Sequence, residues 1–357
     1  MKFVHIADMH FDTSFTQIKD GNLGTLRRID QRKVFKKVID YVEENNIDCL
    51  FIAGDLYEHK FIRESTIEFI NEQFKRIRNT KVFIAPGNHD PYLKNSFYAK
   101  YNWSENVCIF GSHISKVELG DVDVYGYGFN DFYYTNSEID NFRVDNPMKT
   151  NILITHATLN GTNNIDKQYN AISKSKLQEI GFDYVALGHI HKANYNEENR
   201  FIYPGSTISM GFDEPDKHGM IVGDVSKNNI TTNFVALDDS EFVVRDVDVS
   251  DFKNVDELVE FILNMDINEN NYYEIYLVGQ RCFDIDMYNL KKMIISSRII
   301  KIKNKTKIFF DFEKMSNEYT LKGLFVKEIL SKMENCSEDE QKILESALEI
   351  GMEILDK

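Results

Sequence analysis

The sequence predicts an α/β protein in which two sheets pack face to face with helices on their outer sides. Over roughly the first 85 residues strands alternate with amphipathic helices, and from about Val107 to Leu237 the chain becomes a series of short strands separated by turns. A third observation, that polar residues gather at the ends of apolar strands, indicates where function resides.

Taken in order, Lys2 to Ala7 reads as a strand, and Ile29 to Glu43 as a helix from the spacing of Ile29, Val34, Val38, Ile39 and Val42. Asp48 to Ala53 is a second strand, Ile62 to Ile77 a second helix and Thr80 to Ala85 a third strand, a βαβαβ path with parallel strands. VCIFG, VELGDVDVYGYGF, NILITH, YVALGH, FIYPGS, MIVGDV and ITTNFVAL supply the strands of the next region. Beyond Ser240 come strand VVRDVDV, helix VDELVEFILNM, strand YYEIYLVG, helix DIDMYNLKKMII and strand IIKIKN, a smaller α+β module. Tyr319 to Lys357 reads as two helices separated near Asn335 to Ser337, with apolar faces made by Leu324, Ile329 and Leu330 and by Ile343, Leu344, Ala347 and Leu348. The expected domains are therefore 1–240, 241–318 and 319–357.

With 357 residues, 42% of them hydrophobic, the chain can bury a large core. Only five prolines occur, and no repeat, flexible linker or low-complexity tract is visible. Cys49, Cys108, Cys282 and Cys336 are scattered without a Cys-x-x-Cys pair, which argues against a zinc knuckle or disulfide framework and for a reducing compartment. No apolar run reaches the length of a membrane span, and MKFVHIAD enters a strand with no signal-type apolar region, so a cytoplasmic protein is expected. A net charge of −15 excludes a generally basic nucleic-acid coat, but leaves room for local basic patches or for bound cations. One such patch contains Lys291, Lys292, Arg298, Lys301, Lys303, Lys305 and Lys307 without an acidic residue; it reads equally as a lysine-guarded strand edge or as a phosphate contact.

Five strands end in an apolar run followed at once by a metal-ligating residue type. HIADMH brings Asp8 and His10, FIAGD Asp55, FIAPGNHD Asn88, His89 and Asp90, LITH His156, and VALGHIH His189 and His191. Singly, each has an ordinary reading as a cap or turn residue. Together they use five of the nine histidines and fall where open α/β sheets place ligand sites, at the carboxyl ends of strands. His5, His59, His113 and His218 are left as structural. A mixed Asp, Asn and His set without Cys suits divalent ions such as manganese or iron. Seven ligands exceed the needs of one ion; two ions about 3.5–4 Å apart could clamp the attacking and leaving oxygens of a phosphoryl centre.

The series Asp8-x-His10, Gly54-Asp55, Gly87-Asn88-His89-Asp90, His156 and Gly188-His189-x-His191 resembles the signature of calcineurin-like metallophosphoesterases, in order, over about residues 1–240. HIADMHFDTSF, GDLYE, YPGSTISMGFDEPDKHGMIV and the ending YTLKGLFVKEIL look most like the SbcD/YhaO branch of DNA-repair exonucleases. The resemblance implies a four-layer α/β/β/α sandwich with a smaller α+β cap domain and C-terminal helices. It implies two divalent ions, Mn2+ first and Fe2+ as another choice, one held by Asp8, His10, Asp55 and His191, the other by Asp55, Asn88, His156 and His189. His89 would face the scissile phosphate as a general acid. Glu58 would orient that histidine. Some archaeal nucleases of the family carry a histidine at the Glu58 position, and His59 is one residue out of register with it. The implied activity is a 3′ to 5′ DNA exonuclease with single-strand endonuclease activity, with Lys301, Lys303 and Lys305 on DNA. The implied partners are an SMC-like ATPase of the SbcC/YhaN type, docked through the C-terminal helices unless these pack on the cap, and a second copy in a homodimer. The rival readings are a small-substrate phosphatase or cyclic-nucleotide phosphodiesterase, and a regulatory subunit that binds an ATPase.

Overall fold

The computed structural model describes residues 1–15, 21–134, 138–160, 169–195, 200–227, 229–294, 296, 298–334 and 336–355. The chain forms two units, one of Met1–Val244 with Asn268–Glu274 and one of Arg245–Ile267 with Ile275–Lys357.

In the first unit the elements are β1 (Lys2–Ile6), α1 (Gly21–Glu44), β2 (Cys49–Ile52), α2 (Glu64–Arg76), β3 (Lys81–Ile84), α3 (Phe97–Lys100), β4 (Val107–Ile109), β5 (Ser115–Leu119), β6 (Val122–Gly126) and β7 (Thr150–His156). They continue with β8 (Thr158–Leu159), β9 (Ala171–Ile172), α4 (Lys174–Ile180), β10 (Tyr184–Gly188), β11 (Phe201–Ile202), β12 (Gly219–Ser226) and β13 (Asn229–Ala236). One sheet has the order β13-β12-β1-β2-β3-β4 and is parallel from β1 to β4; the other has the order β11-β10-β7-β6-β5 and is parallel except at the β5–β6 hairpin. β8 and β9 pair separately.

Alternation along the strands sorts the side chains into layers. Val4 and Ile6, Leu50 and Ile52, and Val82 and Ile84 face the helices α1 and α2, where they meet Phe35, Val38, Ile39, Ile70 and Phe74. Their neighbours Phe3, Phe51 and Phe83 point the other way and meet Val124, Ile152, Ile154, Tyr184 and Ala186 of the second sheet. On that sheet's far side Leu153, Val185 and Leu187 pack with Leu177 and Ile180 of α4. Four layers result, α/β/β/α. The sequence reading lacked α4, a short helix that Gly181 closes in the left-handed conformation at φ 84°.

The first helix begins at Gly21, not at Ile29 as the apolar spacing predicts. Its first turns are held by a long-range polar anchor, which a periodicity argument cannot see. The Arg27 guanidinium is fully buried, lies 2.9 Å from Asp238, donates to the Ser209 carbonyl at 2.7 Å, and sits over the rings of Phe242 and Tyr272.

His5 lies in the inter-sheet core with its Nδ1 2.8 Å from the Tyr184 hydroxyl, and burial pushes its pKa down to about 3. The unfolded chain therefore binds a proton near pH 6.5 that the fold refuses. Stability from this residue is full above pH 6.5 and lost as pH falls towards 3, at up to about 1.4 kcal/mol per pH unit. Urea titrations of the wild type and His5→Asn should show the wild-type advantage shrinking over that range; an advantage constant with pH would mean that His5 titrates normally.

The second unit contains most of a three-stranded sheet ordered β14 (Phe242–Asp248), β15 (Tyr272–Val278) and β17 (Ile299–Asn304), and a small pair, β16 (Gln280–Arg281) with β18 (Lys307–Ile308). Its helices are α5 (Val255–Leu263), α6 (Met287–Met293), α7 (Phe312–Met315), α8 (Leu321–Met333) and α9 (Glu338–Leu355). Leu258, Ile262 and Leu290 of α5 and α6 cover Val247, Ile275 and Leu277 of the sheet, and Val326 of α8 meets Leu348 and Met352 of α9. Asn335, at the expected break between the last two helices, lies outside the described residues, as does Lys357. Among the described residues no helix is long and apolar enough to cross a membrane.

Candidate functional site

The strand ends of the first unit turn sharply, and the backbone shows it. Asp8, His10, Asp55 and His189 have φ of 52°, 48°, 51° and 103°, a region that residues with a side chain seldom occupy and that collects at functional sites. The turns after β1 and β2 are tied together, with the Asp8 amide donating to the Gly54 carbonyl at 3.1 Å and the His10 amide to the Asp55 carbonyl at 2.9 Å. Two glycines make room. A Cβ on Gly54 would run into the His156 ring, and one on Gly188 into the Ala53 carbonyl.

The side chains converge. Asp8, His10 and His191 offer ligand atoms within 4.8 Å of one another, as do Asp8, Asp55 and His156, and His10, Glu58 and His89. Asp55 Oδ2 lies 3.3 Å from His156 Nε2 and 3.7 Å from His10 Nε2, and Asn88 Oδ1 lies 3.0 Å from His156 Nε2. His189 belongs to none of these three sets. Its ring centre is 5.1 Å from that of His156, and its amide donates to both Asp8 oxygens at 3.1 Å. His89 stands apart from the cluster in exposure: its side chain is 44% exposed, against 6% or less for His10, Asp55 and His156. Glu58 reaches both sides, with Oε2 3.0 Å from His89 Nδ1 and Oε1 2.8 Å from His10 Nδ1.

Three neighbours were not assigned such parts in the sequence. Asp90 points away from the cluster and accepts from the amides of Asp55, Leu56 and Gly87 at 3.0, 2.7 and 2.6 Å and from the Tyr98 hydroxyl at 2.6 Å, so it holds two of the strand-end loops in shape. Glu214 sits 2.5 Å from His191 Nδ1 and accepts from the Met210 amide at 2.8 Å, which leaves His191 Nε2 facing the cluster. Asn170, nearly fully buried, donates to the His156 carbonyl at 2.9 Å. Among the other histidines, His218 contacts Ser206 within the fold and His113 faces Glu138 at the surface. Lys301, Lys303 and Lys305 belong to the second unit, where the ammonium groups of Lys303 and Lys305 lie 5.1 and 3.4 Å from the centre of the Tyr276 ring.

The charges fit a site for cations. Burial would lower the pKa of His156, but Asp55 and Asp8 outweigh it and raise the group to about 9; His191 reaches about 9 against burial through Glu214 and Asp8. His189, buried near His156, is lowered to about 4. Burial opposes the ionisation of Asp55, yet His156 and His10 hold it well below the usual carboxylate range. Protons on the histidines thus offset the buried carboxylates, and divalent ions on these nitrogen and oxygen donors would replace them, with release of protons on binding.

The sequence profile described as calcineurin-like phosphoesterase matches residues 1–193. The chain is similar to the uncharacterized metallophosphoesterase YhaO of Bacillus subtilis, 27% identical over 274 residues, which are 73% of this chain and 66% of that protein, just under two thirds of its length. It is also similar to the D subunit of the nuclease SbcCD of Staphylococcus epidermidis, 26% identical over 332 residues, covering 82% of this chain and 83% of that one.

Proposed function

The chain belongs to the calcineurin-like phosphoesterase family and is a metal-dependent phosphoester hydrolase, and on that premise we propose that it cleaves DNA as a 3′ to 5′ exonuclease, with single-strand endonuclease activity beside it, in DNA repair. The observation that carries this reading is the crowding of Asp8, His10, Asp55, His156 and His191 with the more exposed His89 at its margin. Similarity to the Staphylococcus nuclease supports DNA as the substrate.

Asp8, His10, Asp55 and His191 would hold one ion and Asp55, Asn88, His156 and His189 the other, manganese being our choice of metal with iron as the second. When bound, the ions stabilise negative charge on the phosphoryl oxygens and activate water. His89 acts on the substrate. Burial lowers its pKa, but the Glu58 hydrogen bond and the charges of Asp55 and Glu58 raise it to about 9, so the ring is protonated at neutral pH and can donate to the leaving oxygen. Glu58 holds Nδ1 and leaves Nε2 for that donation.

We assign hydrolysis to residues 1–240, DNA engagement to a cap of residues 241–318, and the docking of an SMC-like ATPase of the SbcC/YhaN type to the helices of 319–357, in a cytoplasmic assembly that also admits a homodimer. The name of the Staphylococcus relative, one subunit of SbcCD, supports the ATPase partnership. Incubation with manganese on end-labelled DNA, beside bis-p-nitrophenyl phosphate, tests the proposal. Shortening of DNA from the 3′ end is the expected result, whereas cleavage of the small ester alone would leave a small-substrate phosphodiesterase.

Replacing Lys301, Lys303 and Lys305 together by glutamine should weaken DNA cleavage and make it less sensitive to salt, at roughly one unit of slope for each phosphate no longer neutralised. Hydrolysis of the small ester should change little, because it needs the cluster alone. Equal loss on both substrates would mean damage to the fold, and no loss on either would return these lysines to a solvated strand edge.

A further inference from the structure

Aromatic rings lead from the cluster to the surface. Tyr169 stacks on the His189 ring, with centres 4.9 Å apart and planes 29° from parallel, and Tyr133 packs on Tyr169 at 6.2 Å while remaining 60% exposed. The adjacent residue, Phe132, is 43% exposed and meets His59 edge-on at 5.9 Å; the His59 amide in turn donates to the His89 carbonyl at 2.9 Å. Two consecutive exposed aromatic residues therefore connect to the His189 side and to the His89 side of the same site.

The rings stand on a fixed base. Tyr134 is buried and donates to the Ser112 carbonyl at 2.7 Å, while its own carbonyl accepts the Asn170 amide at 2.9 Å. The Asn170 side chain donates to the His156 carbonyl at 2.9 Å and to Thr155 at 3.1 Å, and accepts from the Tyr127 hydroxyl at 3.1 Å. Tyr169 and Tyr134 are thus fastened to the strand end that carries His156, which preorganises the rings at little entropic cost on binding.

We propose that Tyr133, backed by Tyr169 and flanked by Phe132, is a stacking platform for an unpaired nucleobase next to the phosphate being cleaved. The proposal rests on the reading of the cluster as a nucleic-acid phosphodiesterase and names the substrate form, a single strand or frayed end. The charge balance favours a base as the occupant. At −15 the chain repels a polyanion away from its cations, so affinity beyond the phosphate has to come from contacts that carry no charge. Base-on-aromatic stacking supplies such affinity whatever the base, at about 1–3 kcal/mol per base. An exposed aromatic pair at a phosphoester-cleaving site is suited to that contact.

The test compares two ligands with the same phosphate on the manganese-loaded full chain: thymidine 5′-monophosphate, and deoxyribose 5-phosphate, which lacks the base. Calorimetric titration should show the nucleotide binding about 5- to 150-fold tighter. In Tyr133→Ala that ratio should fall towards one, and in Tyr133→Trp it should persist, which separates the loss of stacking from a disturbed fold. Equal affinities in the wild type, or an unchanged ratio in Tyr133→Ala, would overturn the platform. The end-labelled DNA assay decides the nuclease reading by itself, so a chain that binds the two ligands equally yet cleaves DNA refutes only the platform. One that prefers the nucleotide but leaves DNA intact refutes only the DNA substrate.

Discussion

Asp55→Ala is expected to abolish manganese-dependent hydrolysis and to reduce the metal bound per chain from about two ions, the number that a shared carboxylate between two sites requires. Asp55 is the most connected carboxylate of the cluster. Its Oδ2 lies 3.3 Å from His156 and 3.7 Å from His10, and its Oδ1 accepts the His89 amide at 2.8 Å. Removing it takes a ligand from both proposed sites at once and leaves protonated histidines facing each other without their counter-charge. Elemental analysis of the purified variant, together with turnover of bis-p-nitrophenyl phosphate, checks both parts. Retained turnover with one ion would end the two-ion account.

His89→Ala should separate chemistry from metal binding. The ring is the exposed member of its group and is held by Glu58 rather than by Asp55, so metal content should stay at the wild-type value. Turnover should fall by about 10²–10⁴, the usual contribution of a general acid. The loss should be smaller for an ester with a good leaving group, such as p-nitrophenolate, than for DNA, whose alkoxide leaving oxygen needs the proton. Loss of metal in this variant would make His89 a ligand instead, in keeping with its nearness to His10 and Glu58.

Much of the architecture was legible because strand alternation and helix spacing are local signals. Val4 and Ile6 against Phe3, or Leu50 and Ile52 against Phe51, announce a strand with two apolar faces, and such strands are buried on both sides. The candidate site was legible for a related reason, since Asp8, Asp55, His89, His156 and His189 each follow an apolar run. What escaped is long-range. Glu214 is one polar residue in GFDEPDKHG, a loop with no periodicity, and its approach to His191 depends on the loop folding back across 23 positions. Arg27 looked like part of a solvated helix start until Asp238, 211 positions away, came to face it. Asn170 looked like a turn residue, and Tyr169 showed no signal of its own, because a stacking contact leaves no pattern in one sequence.

The account stands or falls on whether this cluster holds two ions in the proposed places. Anomalous diffraction from crystals equilibrated with manganese measures that directly. Two peaks are predicted, one bounded by Asp8, His10, Asp55 and His191 and the other by Asp55, Asn88, His156 and His189, with Asp55 touching both and His89 touching neither. A single peak, or one coordinated by His89 and Glu58, would contradict it.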